Sequence, residues 1–147
     1  GASYTLESGA TFTFEYFLNS PGYDDSDADL YDELRKRAAE AFYLPSPSSS
    51  YAYMTLQQTL FPRLRFLRQN YLTFQFYQVE IEDVLSVIMR YTYNIDDSSS
   101  MFVPIVTYDI GDYSQLFLTG DQRFGSKDSE FRSLIDYSYM LGVEFTF

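Results

Sequence analysis

Apolar and polar residues alternate with a period of two along most of this chain, the pattern of strands with one greasy face and one polar face. Over residues 10–19, Phe12, Phe14, Tyr16 and Leu18 share one face, and Thr11, Thr13, Glu15, Phe17 and Asn19 the other. Over 69–80, Leu72, Phe74 and Phe76 alternate with Thr73, Gln75 and Tyr77. Over 83–94, Leu85, Val87, Met89, Tyr91 and Tyr93 alternate with Ser86, Ile88, Arg90, Thr92 and Asn94. Residues 101–110 put Phe102, Pro104, Val106, Tyr108 and Ile110 on one face. Pro104 has no N–H to give a neighbour, which predicts a bulge or local bend there. Residues 113–122 form the next strand, and 133–147 the last. In that last strand Tyr139, Leu141, Val143, Phe145 and Phe147 alternate with Met140, Gly142, Glu144 and Thr146. Residues 1–6 read as the tail of one more strand.

The alternation breaks between residues 20 and 68. Leu30, Leu34, Ala38 and Ala41 fall at helical spacing, with acids leading and bases following, which suits the helix dipole and predicts a helix over 28–42 with Ser26 or Asp27 as its N-cap. Residues 45–50 read as a loop. Residues 51–60 fit either a strand or a helical piece that Pro62 ends, and Arg63, Arg65 and Arg68 follow as the one basic cluster.

Strands in soluble proteins average about 5–6 residues, whereas strands that cross a membrane need about 9–11. The runs here are mostly of the longer kind. The connections Glu7-Ser8-Gly9, 80–83 and Gly111-Asp112 (a two-residue turn) are short, and 20–68, 94–101 and 123–132 are longer. Short turns at one side and long loops at the other are the organisation of a membrane barrel. The predicted fold is therefore all-β: an antiparallel transmembrane β-barrel spanning 1–147, with 20–68 as one long extracellular loop carrying the helix. This arrangement has seven strands, while single-chain bacterial barrels have even numbers, so the chain reads as the C-terminal strands of a larger barrel. The rival is a complete eight-stranded barrel that uses 51–60. The start at Gly1, without Met or a signal peptide, reads as a processed chain or a fragment.

Composition narrows the chemistry. Cysteine and histidine are both absent, which removes disulfides, thiolate metal sites, the commonest general base and the commonest metal ligand. No cofactor, metal site or catalytic constellation is expected, and the protein is not read as an enzyme. Tyr 15 and Phe 14 bring the aromatic share to 20%, which fits aromatic girdles around an apolar belt. The net charge of −11 argues against a nucleic-acid partner and for a surface that draws cations. The polar face presents Thr13, Glu15, Gln75, Ser86, Arg90, Thr92, Asp109, Asp136 and Glu144 as the candidate lumen. Four acids against one Arg favour a cation path, unless Arg90 pairs across strands with an acid and braces a filled interior. The acidic runs at Asp24–Asp32 and Asp96-Asp97-Ser98 lack the spacing of a calcium loop and read as solvated loops.

The segment Tyr139-Met140-Leu141-Gly142-Val143-Glu144-Phe145-Thr146-Phe147 resembles the closing strand of bacterial outer-membrane β-barrels. The resemblance implies that Tyr139, Leu141, Val143, Phe145 and Phe147 act as an insertion signal for the barrel-assembly machinery. The wider stretch, from Glu15-Tyr16 through Asp96-Asp97-Ser98 to Ser129-Glu130-Phe131, is similar to the C-terminal half of porin-like proteins of Gram-negative bacteria. That implies an outer-membrane location, lipid as the surrounding partner, an upstream segment or another chain to complete the barrel, and passive transport. Two other functions stay open: a closed structural barrel that meets a partner through its long loop, and a soluble β-calyx binding an apolar ligand.

Overall fold

The computed structural model describes residues 1–42, 48–60, 66–133 and 135–146, with only the backbone described for Ser48, Ser49, Leu56, Gln58, Thr59 and Leu60. The described strands are β1 (Ala2–Thr5), β2 (Thr11–Leu18), β3 (Asn70–Ile81), β4 (Leu85–Asn94), β5 (Ser100–Asp109), β6 (Ser114–Phe124) and β7 (Tyr137–Phe145). Two helices, α1 (Asp25–Phe42) and α2 (Ser48–Leu60), lie between β2 and β3. The seven strands form one antiparallel sheet in sequence order, each paired with its neighbour in the chain. β1 and β7 do not pair, so the sheet is open and has two edges.

The period-two pattern translates directly into faces, because cross-strand partners share a face. One row runs Phe14, Phe74, Tyr91, Phe102, Gln122 and Tyr137 across β2 to β7. Another runs Val87, Val106, Leu118 and Leu141, and a third Leu85, Tyr108, Leu116 and Val143. No paired position on this apolar face carries Asp, Glu, Lys or Arg. On β4 to β7 its middle is aliphatic, and Tyr93, Tyr137, Tyr108 and Phe145 stand toward the margins. The charged side chains at paired positions fall on the opposite face.

The strand bounds differ from the sequence pattern in instructive ways. Pro104 makes no bulge: Phe102 pairs with Gln122 and Ile105 with Thr119 in one unbroken register, and Pro104 also keeps its place opposite Met89. The ladder lapses only at residues 103–104 on the β6 side, so the missing donor is absorbed there without a shift. The irregularity lies instead between Gln78 and Ile81 on β3, where Glu80, Glu82 and Asp83 take positive φ. Left-handed backbone at three acidic residues tightens the turn into β4. Gly111-Asp112 is not a two-residue turn; Gly111–Tyr113 form a single 3-10 turn, with Gly111 at φ +64. The connection predicted at 94–101 shrinks to 95–99, because β4 and β5 run on to Asn94 and from Ser100. β7 begins at Tyr137 rather than 133, since Ser133 closes onto Ser129 in the preceding loop. Its pairing continues past Phe145 through the Thr146 N–H on the Tyr113 carbonyl at 3.0 Å, and Phe147 lies outside the described residues.

The chain divides into two compact units, residues 1–18 with 70–147, and residues 19–69. The second is a helical hairpin. α1 begins at Asp25, three residues earlier than the apolar spacing suggests, because the Asp24 carboxylate accepts the Asp27 N–H at 2.9 Å and so caps the first turn. Asp24 therefore takes the role expected of Ser26 or Asp27. Residues 51–60 are helical, not a strand, and α2 starts within the stretch read as a loop. Phe42 stacks on Tyr53 at 6.3 Å, and Ala38 and Ala52 are buried where the helices meet. Arg68 is buried and ion-paired with Asp25, while Arg63 and Arg65 lie outside the described residues.

Candidate functional site

The polar face of the sheet gathers most of the residues singled out from the alternation. Thr13, Gln75 and Arg90 are cross-strand neighbours on β2, β3 and β4. Arg90 donates to the Gln75 carbonyl from both Nε (3.3 Å) and Nη2 (3.2 Å). Among the described residues no carboxylate lies within ion-pair distance of Arg90, so the alternative of a cross-strand brace with an acid is not what forms; Arg90 binds Gln75 instead. Glu15 occupies the next row, opposite Thr73, which pairs with Thr92. Ser86 pairs with Thr107 nearer the short turns.

Asp109, Gln115 and Glu144 form one row across β5, β6 and β7 at the turn end of the sheet. Gln115 donates to Asp109 at 2.6 Å. These residues line an open depression of about 580 Å³ with Asp83, Asp112 and Tyr113. The acidity of the polar face is thus concentrated beside the short turns, where no Lys or Arg lines the depression.

Asp136 stands apart. It precedes β7, its carbonyl accepts the Arg123 N–H at 2.9 Å, and its carboxylate pairs with Arg132 at 2.8 Å. Its charge is compensated, unlike those of Glu15, Asp109 and Glu144, which form no ion pair among the described residues. Alternation extended through β6 also places Asp121 and Arg123 on the polar face, a pair that the sequence reading passed over. Arg123 forks onto both Asp121 oxygens through Nε at 3.0 Å, so those two charges cancel locally.

A second group was not foreseen. At the loop end of the same face, Tyr71 and Asn94 pair across β3 and β4 and are both 0% exposed. The Tyr71 hydroxyl and the Asn94 amide donate to one oxygen, Glu130 Oε2, at 2.7 and 2.8 Å. The Glu130 N–H donates to Asp97 Oδ2 at 2.7 Å, and Asp97 Oδ1 accepts from the backbone and hydroxyl of Ser99. Phe131 packs against the Tyr71 ring at 6.3 Å, and Phe17 at 6.2 Å. Loop 125–133 is therefore seated on the polar face by a buried, hydrogen-bonded centre. Tyr71 and Glu130 are 59 residues apart, and no local pattern links them. Asp96 likewise closes the loop end, accepting the backbone and side-chain N–H groups of Asn70 at 2.9 and 2.8 Å.

In the closing strand, Tyr139, Leu141, Val143 and Phe145 all lie on the apolar face and are exposed, Leu141 at 75%. Glu144 and Gly142 point to the polar face, where Gly142 pairs with Phe117.

Comparisons with protein-family models, with curated proteins and with solved structures find no match. The functional reading rests on the two faces themselves.

Proposed function

We propose that this chain supplies the C-terminal strands of an outer-membrane β-barrel that acts as a passive, porin-like channel with a cation-favouring interior. The observation that carries the reading is the uncharged apolar face. Phe14, Tyr16, Leu18, Tyr137, Leu141 and Phe145 are all exposed on it, and among the described residues nothing in the sheet unit covers them. A soluble monomer rarely exposes a contiguous apolar patch of more than a few hundred Å². A lipid-facing strand surface has this composition, since a charge at the bilayer midplane costs about 2–4 kcal/mol for Arg or Lys. Strands β3 to β7 are 9 to 12 residues long, matching the span that a tilted strand needs.

The two open edges fit strands supplied from elsewhere. In a seven-stranded meander the first and last strands run in the same direction, so antiparallel closure takes an odd number of further strands. The polar face then becomes the interior, with Glu15, Asp109 and Glu144 favouring cations. A soluble calyx fits poorly, because it would need the apolar face turned inward and covered.

The first test is migration of the membrane-extracted protein on a gel, unboiled against boiled. A heat-dependent shift supports a detergent-resistant barrel; a soluble protein with no shift ends the membrane reading. Planar-bilayer conductance under a potassium chloride gradient then tests the channel. A reversal potential toward cations is expected. The closed-barrel reading has one observation in its favour, the loop seated on the polar face, and a barrel that stays silent would select it.

A further inference from the structure

We infer that loop 125–133 is a latch across the mouth of the interior, anchored by the Glu130 carboxylate, and that it sets how far the channel is open. The inference rests on the channel reading above, because only in a closed sheet is the polar face an interior. Three observations carry it.

The first is placement. The loop contacts Tyr71 and Asn94, the last pair of β3 and β4 before the loop end, and does so on the polar face. In a closed barrel a segment on that face lies inside the mouth rather than outside it.

The second is contrast. At the seat, Tyr71, Asn94, Ser99, Ser129 and Phe131 are buried, whereas Glu15 and Arg90 further along the same face are exposed. The loop thus occupies one end of the interior and leaves the remainder open.

The third is the way it is held. Its grip on β3 and β4 centres on one carboxylate oxygen taking two donors, supported by a backbone bond to Asp97, the Phe131 ring contact and a bond from Arg123 Nη1 on β6 to the Phe131 carbonyl at 3.3 Å. Within the loop, Ser129 donates to the Ser126 carbonyl at 2.7 Å and Arg132 to the Gly125 carbonyl at 2.9 Å. These internal bonds do not depend on Glu130, so losing its carboxylate loosens the loop from β3 and β4 specifically. Buried donors left without an acceptor are costly, so seated and unseated forms are distinct arrangements rather than a continuum.

The test uses the full-length protein bearing this sequence, reconstituted in planar bilayers, with Glu130→Ala, Glu130→Gln, and the double variant Tyr71→Phe with Asn94→Ala. The double variant unhooks the same carboxylate while leaving Glu130 in place. The chain has no cysteine, so Ser129→Cys, buried in the seated loop, reports its release by reaction with a maleimide. The expected result is a several-fold rise in conductance and in labelling rate for Glu130→Ala and for the double variant. Glu130→Gln keeps an oxygen acceptor and stays at the wild-type level in both readouts. Two outcomes overturn the latch: no gain in labelling, which means Glu130 is not the anchor, or a gain in labelling with unchanged conductance, which means the loop does not limit the path. The heat-dependent gel shift, run on every variant, separates these from failure of the barrel reading, in which wild type itself shows no shift.

Discussion

The ring of Tyr139 on β7 lies across the backbone of Gly120 on β6, in the space where any other residue would place its Cβ. On the opposite face the ring of Phe117 covers Gly142 in the same way, the glycine and the aromatic having exchanged strands. Each ring needs the missing side chain opposite it. A one-residue slip would move both rings to the wrong faces at once, so this double exchange pins the register of the closing strand.

Tyr139→Ala uncovers the Gly120 backbone and is expected to cost about 1 kcal/mol, the upper end for a cross-strand pair. In a Gly120→Ala background the same replacement costs less, because the ring has already been displaced. A double-mutant cycle from urea titration in lipid vesicles measures this coupling; strictly additive effects would refute the pairing.

Leu118 and Thr119 are adjacent on β6 and point to opposite faces. If the apolar face meets lipid, Leu118→Arg places a charge in the hydrocarbon and costs about 2–4 kcal/mol, while Thr119→Arg is tolerated. The fraction of heat-shifting protein reads the difference. Equal tolerance at the two positions would count against a lipid-facing surface.

Asp109→Asn and Glu144→Gln each remove one acid from the turn-end depression, and both are expected to move the reversal potential toward zero. Arg90→Gln moves it the other way. The shifts should shrink in about 1 M salt, where the screening length falls to about 3 Å. Asp136→Asn should change selectivity least, because Arg132 already neutralises that carboxylate.

Tyr71→Phe keeps the ring contacts with Phe17 and Phe131 and removes only the hydroxyl that donates to Glu130. A hydrogen bond to a charged group is worth about 1.5–3 kcal/mol, and a loss of that size is expected in the unfolding free energy, read as a lower denaturant midpoint. An unchanged midpoint would show that the buried centre contributes nothing to stability.

Deleting Phe147 should reduce assembly into the outer membrane without altering strands β1 to β6. Quantifying heat-shifting protein in membrane fractions tests this; unchanged assembly would remove the insertion role from the closing strand.

Alternation alone determined the strands and their faces. A side-chain period of two assigns Phe14 and Glu15, or Leu118 and Thr119, to opposite sides whatever the strand pairs with, so an uncharged face was legible before any coordinates. The sequence also set the helical character of 28–42, while 51–60 stayed open because its short apolar run matches neither period for long enough. What only the tertiary structure decided were relationships between distant residues. Pro104 does not bulge: the β6 ladder simply lapses at residues 103–104, and the register is the same on either side. Asp136 looked like a lumen acid but is paired, because the loop turns Arg132 back onto it. Glu130 looked like a surface loop residue, yet Tyr71 and Asn94 meet on its carboxylate only once β3 and β4 are in register. Local periodicity reports which way a side chain points; which groups share a buried oxygen depends on strand pairing and loop closure, and these are not local.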